Sequence, residues 1–577
     1  MAEKNWQIKP QATPEIISRF PEIDGLILQL LFNRDLTTQS QIDEFLNPSF
    51  EDHLFDPFLF KDMDKAVTRL FDAVAKGEKV MIYGDYDADG VCSTVLLHET
   101  LKGLGLDVDI YIPFRETEGY GLNTKVVQQI INQKFQLVFT VDCGVSNLAE
   151  IKLLQDSGID VIILDHHDEP LELPAPFALI NPNVRSCGYP PSPLCGAGVV
   201  FKFIQAVLAW QDRTDSPLKL PSGFEKWLLD LAAIATVGDI VSLLGENRVL
   251  TKYGLIVLNK TKNLGLEKLL AAINNRSGKI DSEYVGWRLV PRLNAAGRVG
   301  HASAAFYLLS AKDEAEAEKW AKTLEENNRS RQQMTENILR QAESQLGEVK
   351  ETPRAFIVCG DDWPIGVVGL VAGRLSDKYH RPVLAFSHNK EKFVASGRSI
   401  EEFDITAALK ACHDLLARYG GHPQACGLTI IGEDNFNQFK EKFSALADEK
   451  LKGIELTAVL EIDAEIKLAQ INWELLDELL KFEPFGEDNP KPLFAALALK
   501  IEQAQTVGAD AKHLKVLVSQ DDDLKNIHKL IGFSFGDWCA KLKAGDKIDI
   551  VFELGVNEWN GNRELQLKIA DLKLSNK

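Results

Sequence analysis

The sequence predicts an α/β protein: two α/β lobes joined by a long helix, followed by a small OB-like β-barrel. Three observations carry that expectation. Short apolar runs closed by acid or imidazole recur between residues 75 and 245, a proline-free stretch of strong helix formers fills the middle, and short alternating segments fill the end. The first is the most telling. Lys79 to Tyr83 leads into Asp85-Tyr86-Asp87-Ala88-Asp89-Gly90, Leu137 to Val141 into Asp142, and Val161 to Leu164 into Asp165-His166-His167. Apolar runs of four to six residues bounded by polar ones read as buried parallel strands. Ligands gather at the carboxyl ends of such strands.

The other elements follow in order. Residues 1–70 alternate short helical patterns with proline-marked breaks and carry no chemistry. The first α/β lobe is expected over 71–250, with a helix from Val91 to Leu104 directly after the acidic loop. A helical linker region covers 251–350. No proline occurs between Pro291 and Pro353, and Asp313 to Leu346 is rich in helix formers, so one or two long helices are expected there. A second α/β lobe over 351–452 has apolar runs at Ala355 to Val358 and Pro382 to Phe386, a helix near Gly366 to Tyr379, and Gly420-Gly421-His422-Pro423 at its close. Over 453–577 the alternation suits four or five barrel strands. Asn560-Gly561-Asn562 is a hairpin signal between two of them.

Composition narrows the class. At 577 residues the chain needs several cores, and 45% hydrophobic with 26% charged residues is ordinary for a globular protein. No run approaches the ~18 apolar residues of a membrane span, and the start of the chain lacks an apolar signal core. Eight cysteines without any C-x-x-C pair favour reduced thiols over disulfides or structural zinc. The expected location is the cytoplasm. A net charge of −20 argues against general adhesion to nucleic acid but leaves room for a local basic groove.

Five carboxylates and two imidazoles on one sheet edge repel one another unless cations sit among them. Asp85, Asp87 and Asp89 alternate, which in an extended loop sends their side chains to similar sides, and Gly90 is expected to permit the turn into the helix. Carboxylate with some imidazole and no thiolate suits Mn²⁺ or Mg²⁺. Two such ions ~3.5–4 Å apart support in-line displacement at phosphorus. Asp239, the acid in the apolar stretch Ala235 to Val241, is the best further ligand. Each signal has a bland counterpart. D-x-D-x-D-G also fits a calcium-type loop or a solvated turn, Asp142 a helix N-cap, and the histidine pair one packed and one solvated ring.

Taken together, D-Y-D-A-D-G, V-D-C-G, D-H-H, V-G-D-I-V and the distant G-G-H resemble the DHH phosphoesterase superfamily. Pro291 to Arg298 (PRLNAAGR), Ala395 to Arg398 (ASGR) and Gly420 to Gly427 (GGHPQACG) are similar to its single-strand-specific exonuclease branch, from about Leu54 to the end of the chain. The resemblance implies a DHH catalytic domain, a DHH-associated substrate-binding domain and an OB-like domain. It implies 5′-to-3′ hydrolysis of single-stranded DNA to 5′-mononucleotides with two Mn²⁺ or Mg²⁺ ions, in recombination and repair. By motif, Asp87, Asp89, Asp142, His166 and Asp239 would be metal ligands, with Asp142 the bridge and Asp85 a ligand or its neighbour. Asp165 would orient the histidines, and His167 would face the scissile phosphate. Many relatives carry histidine where this chain has Tyr83, which puts occupancy of the first metal in question.

The remaining motifs suit substrate contacts. Arg292, Asn294 and Arg298 lie in a small-residue segment open to phosphate, and Ser396 with Arg398 suits a terminal 5′-phosphate. Arg115 and Tyr120 look like a phosphate clamp and a base-stacking platform, with a surface salt bridge and core packing as the alternatives. His422 is expected in the cleft or capping a glycine turn. Trp559 and Arg563 flank the barrel hairpin, where Trp559 packing inside the barrel competes with nucleic-acid contact. A small-substrate phosphoesterase and an inactive DNA-binding scaffold are the rival readings. The barrel and the PRLNAAGR string weigh against the first, and the complete set of acids and histidines against the second. Expected partners are single-stranded DNA with a 5′ end, a single-strand-binding protein and a helicase, with the chain a monomer.

Overall fold

The computed structural model describes residues 4–214, 219–273, 278–347, 353–520, 527–559 and 562–575, with the Trp559 side chain outside that description. In the first lobe five strands run parallel in the order Asp107–Tyr111, Lys79–Tyr83, Leu137–Val141, Asp160–Leu164, Ala178–Ile180. Their continuous hydrophobicity has a direct cause, because both faces are covered. Val80 and Ile82 pack with Val91 and Val95 of the helix Ala88–Gly103, while Met81 and Tyr83 pack on the opposite face with Val126 and Val127 of the helix Thr124–Asn132.

The stretch after Asp313 is one helix, Glu314–Leu346, started by the Asp313 carboxylate accepting from the Glu316 amide at 2.9 Å. Its first half buries Ala321 and Leu324 in the core of the first lobe. Its second half buries Ile338 and Ala342 against Val358 and Val367 of the second lobe. A single rigid element therefore sets the distance between the lobes.

The second lobe is a five-stranded sheet in the order Arg418–His422, Ala425–Ile431, Lys392–Arg398, Val383–Asn389, Phe356–Asp361, with only the last pair parallel. In the barrel, Phe494–Val507 pairs with His513–Ser519 on one side and Lys547–Trp559 on the other. His528–Gly532 and Asn562–Leu574 complete the circuit. This is the closure expected of an OB barrel. Asn560 and Gly561 of the anticipated turn lie outside the described residues; the strands flanking them pair antiparallel up to Trp559 opposite Asn562.

The N-terminal segment joins the barrel. Leu30, Leu31 and Phe45 share a core with Phe482 and Ile501, and Asn5–Ile8 pairs in parallel with Val459–Ile462. Arg248 ties this unit to the first lobe. Its buried guanidinium donates to the carbonyls of Phe45, Lys481, Phe482 and Glu483 at 2.7–3.0 Å. Among the described residues no helix is long and apolar enough to cross a membrane.

Candidate metal centre and substrate cleft

The carboxyl ends of three strands of the first sheet, Lys79–Tyr83, Leu137–Val141 and Asp160–Leu164, contribute to one cluster. Asp85 follows the strand Lys79–Tyr83, but the extended-loop expectation for the next two acids does not hold. The helix begins at Ala88, Asp87 is its N-cap and accepts from the Gly90 amide at 3.0 Å, and Asp89 lies in its first turn. Local capping wins because Asp87 satisfies an amide the helix would otherwise leave unpaired. Gly90 likewise serves a different purpose. It is helical, and a Cβ there would lie 2.6–2.7 Å from the Asp85 backbone, so glycine is required for close approach.

Asp89 accepts from the Gly196 and Ala197 amides at 2.6 and 2.8 Å, the first residues of the helix Gly196–Arg213. Two helix N-termini thus point at the acids and soften their mutual repulsion. Gly196 is also sterically obligatory, since a Cβ would fall 2.7 Å from that of Asp142. Asp142 itself has φ +58, a left-handed conformation that aspartate adopts more readily than most residues. Beyond the fourth strand Asp165 is fully buried. It accepts from the amides of Val145 (2.9 Å), His166 (2.8 Å) and His167 (3.2 Å), and from His167 Nδ1 (2.8 Å). Asn181 donates to the His167 carbonyl and Asn183 to that of His166.

Three overlapping sets of ligand-type atoms, each within 4.8 Å, result among the described residues: Asp85/Asp87/Asp142, Asp89/His166/Asp239 and Asp142/His166/His167. His166 Nε2 lies 3.0 Å from Asp142 Oδ1 and 3.7 Å from both Asp89 and Asp239. Asp142 Oδ1 and Asp85 Oδ1 are nevertheless buried without a properly aligned hydrogen bond. Burial and the neighbouring carboxylates push Asp85 and Asp142 far above the ordinary aspartate range, and Asp239 up to about 8. For His167, burial opposes charge, but the bond and charge of Asp165 prevail and raise it to about 9. Orphaned carboxylate oxygens, hard donors and no thiolate among them fit divalent cations such as Mn²⁺ or Mg²⁺.

Tyr83 stands outside this cluster. Its ring is in the core on the other face and its hydroxyl donates to the Gly121 carbonyl at 2.9 Å, so it braces the 114–121 loop. On that loop Tyr120 has a half-exposed ring, and its hydroxyl lies 3.0 Å from His167 Nδ1 and 3.3 Å from the Asp142 carbonyl. Arg115 lies over the Tyr86 ring.

A cleft of about 1820 Å³ runs from Gly238 and Ile240, beside Asp239, past Arg298 and Arg398 to Lys491 and Lys568 at the barrel. Arg298 donates to the Gly366 carbonyl at 3.0 Å. Ser396 and Arg398 face Gly369, where a Cβ would sit 3.4 and 3.8 Å from their polar ends. Two expected substrate contacts, Arg292 and His422, are corrected. Arg292 is buried and paired with Glu325 at 2.7 Å. Asn294 does line the cleft, and its Oδ1 accepts from the Ala88 amide at 2.7 Å and so steadies the acidic segment. His422 is exposed on an edge strand and is absent from the cleft lining. Arg563 lies over Trp473, 5.4 Å from its ring centre, and pairs with Glu558.

Gly196, Ala197, Asn181 and Asn183 are additions that the motifs do not foretell. Backbone amides and side chains that grip a carbonyl leave no signature in residue type.

Residues 79–236 match the DHH family N-terminal domain, 352–449 the DHHA1 domain and 462–571 the RecJ OB domain. The single-stranded-DNA-specific exonuclease RecJ of Haemophilus influenzae is 31% identical over 96% of this chain and 96% of its own length. The chain belongs to the RecJ family. The Bacillus subtilis RecJ, with the same description, is 35% identical over 100% of this chain and 71% of its own length. The crystal structure of Thermus thermophilus RecJ with Mn²⁺ superposes with a TM-score of 0.82 at 27% identity, covering 99% of this chain and 80% of that one. The same RecJ has also been solved with Mg²⁺. RecJ proteins are hydrolases of single-stranded DNA by these descriptions, and the two α/β lobes with an OB barrel are their architecture.

Proposed function

We propose that this chain is a 5′-to-3′ exonuclease that hydrolyses single-stranded DNA to 5′-mononucleotides with two Mn²⁺ or Mg²⁺ ions. The observation that carries the reading is the convergence of acids and imidazole around two buried carboxylate oxygens that lack an aligned hydrogen bond. Asp85 and Asp87 would hold one ion, Asp89, His166 and Asp239 the other, and Asp142 both. When bound, the pair supplies Lewis acidity that activates water and offsets phosphate charge.

The remaining residues position the substrate. Asp165 takes His167 Nδ1, which leaves Nε2 to donate to a phosphate oxygen. Tyr120 and Asn181 hold that ring and its backbone in place. Arg298, Arg398 and Arg115 suit the terminal 5′-phosphate and its neighbour by bidentate contact, and the Ser396 hydroxyl suits it by a single hydrogen bond. A cleft that continues to the barrel supports a polymeric substrate over a dinucleotide. Family membership supports a cytoplasmic monomer working with a helicase and a single-strand-binding protein in recombination and repair.

Oligonucleotides blocked at the 5′ or the 3′ end, incubated with Mn²⁺, test the reading. Degradation is expected of 3′-blocked strands only, and turnover should rise with chain length. Cleavage from unblocked 3′ ends overturns the polarity, and preference for dinucleotides overturns the polymeric substrate.

A further inference from the structure

The cleft beside Asp239 carries a feature that neither the metal cluster nor the phosphate contacts use. Ile240, the residue after Asp239, has φ +56. A β-branched side chain is strongly disfavoured there, and such strain persists only where surrounding structure holds it. Its consequence is exposure: 69% of Ile240 faces solvent. Trp287, in a π-helical turn over Val285–Leu289, is 77% exposed and lines the same cleft. π-helical turns recur at functional sites.

The two segments that present these side chains are packed tightly. A Cβ on Gly238 would lie 3.1 Å from Val290, and one on Gly286 would lie 3.5 Å from Val237. Ile240 and Trp287 are therefore offered to the cleft from one firm base, next to a candidate metal ligand. The linking helix and the second lobe bring a different chemistry to the same cleft. Arg331, Arg374 and Arg398 line it, and among the described residues none of the three has a carboxylate within ion-pair distance. Arg331 meets only the Asn328 side chain, and Arg398 only the Gly397 carbonyl. Burial and neighbouring cations depress Arg331, and Arg298 to about 10, as expected of cations awaiting an anion. An occupant must offer flat apolar faces to one set of residues and a line of negative charge to the other. A single strand does both, whereas a duplex hides its base faces.

We infer that Ile240 and Trp287 form a nucleobase subsite just downstream of the scissile phosphate, with Trp287 stacking on a base and Ile240 closing its edge. This rests on the single-strand reading above and adds the residues that engage the bases. Stacking is sequence-tolerant, so the subsite would grip any base without selecting one.

The test compares wild type, Trp287→Ala, Trp287→Phe and Ile240→Ala on 5′-phosphorylated oligonucleotides with either normal or abasic second to fourth nucleotides. Degradation kinetics with Mn²⁺ and binding by fluorescence anisotropy are both measured. Trp287→Ala should raise KM and Kd about tenfold on the normal strand, the size of one lost stacking contact, with kcat within about twofold. Trp287→Phe should restore most of the loss, and Ile240→Ala should cost less than Trp287→Ala. On the abasic strand wild type and Trp287→Ala should be alike. Because Trp287 is exposed, melting temperatures should not move. Equal losses on both strands, or no loss on either, overturn the subsite. Wild type that binds the normal strand but cuts nothing overturns the nuclease reading instead, and the anisotropy comparison then decides the subsite alone.

Discussion

Three buried carboxylates in the first lobe differ in how their charge is met, and the gradient separates scaffold from site. Glu246 is fully buried and accepts from Lys202 Nζ (2.9 Å), the Tyr189 hydroxyl (2.7 Å) and the Phe55 amide (2.8 Å). It has a cation and neutral donors. Asp230 has neutral donors only, the Thr261 hydroxyl at 2.6 Å and the Leu231 amide at 2.8 Å, and burial raises it to about 6. Asp142 has a buried oxygen with no aligned donor and four aspartates acting against it. The first is self-sufficient and holds Phe55 and Tyr189 in place. The last has only the His166 imidazole nearby, and on the proposed reading a cation from outside completes it.

That contrast can be broken most severely at Asp142. Replacing Asp142 with Ala should lower turnover at least about 10³-fold, roughly 4 kcal/mol of transition-state stabilisation. The metal-free variant should melt at or above wild type, since a repelled carboxyl is removed. Mn²⁺ should raise the melting temperature of wild type and not of the variant. Normal turnover in the variant would end the bridging role.

Glu246→Ala should do the reverse. It strands Lys202 in the core and should cost on the order of 3–5 kcal/mol, read by urea unfolding, while Mn²⁺ still stabilises whatever remains folded. A loss near zero would mean that the pair is not self-sufficient.

Asp230 sharpens the middle of the gradient. Its folded pKa is raised, so the unfolded chain ionises first as pH rises. Stability should therefore fall between about pH 4 and pH 6 and level off above, by at most ~2–3 kcal/mol at 1.36 kcal/mol per unit. Asp230→Asn should flatten that window in pH-dependent unfolding, and an unchanged slope would remove Asp230 as its source.

The smallest effect is expected at Tyr83. Tyr83→Phe loses one hydrogen bond to Gly121, costing ~1 kcal/mol, with Mn²⁺ affinity unchanged in calorimetry. A weakened metal affinity would return that position to the ligand set.

Much of this is legible in the order of residues, and the reason is range. Strand, acids and the start of the helix follow one another within residues 79–88, so apolar runs and capping acids are readable there. The helix Glu314–Leu346 is equally readable, from propensity and absent proline. Partners far along the chain are not. Asp89 meets the Gly196 amide across 107 residues and Asn294 meets Ala88 across 206. Arg292 looks free for phosphate because nothing in the string PRLNAAGR marks Glu325 as its partner.

Residue order alone determined the class of the fold, the family, and a metal-fitting set of acids and imidazoles at strand ends. Those are consequences of local periodicity and of side-chain chemistry. The three-dimensional arrangement decided which carboxylate oxygens lack an aligned hydrogen bond, which arginines have no carboxylate partner among the described residues, and that Ile240 and Trp287 face one cleft. Charge balance and exposure are sums over neighbours in space, and those neighbours exist only once the chain has folded.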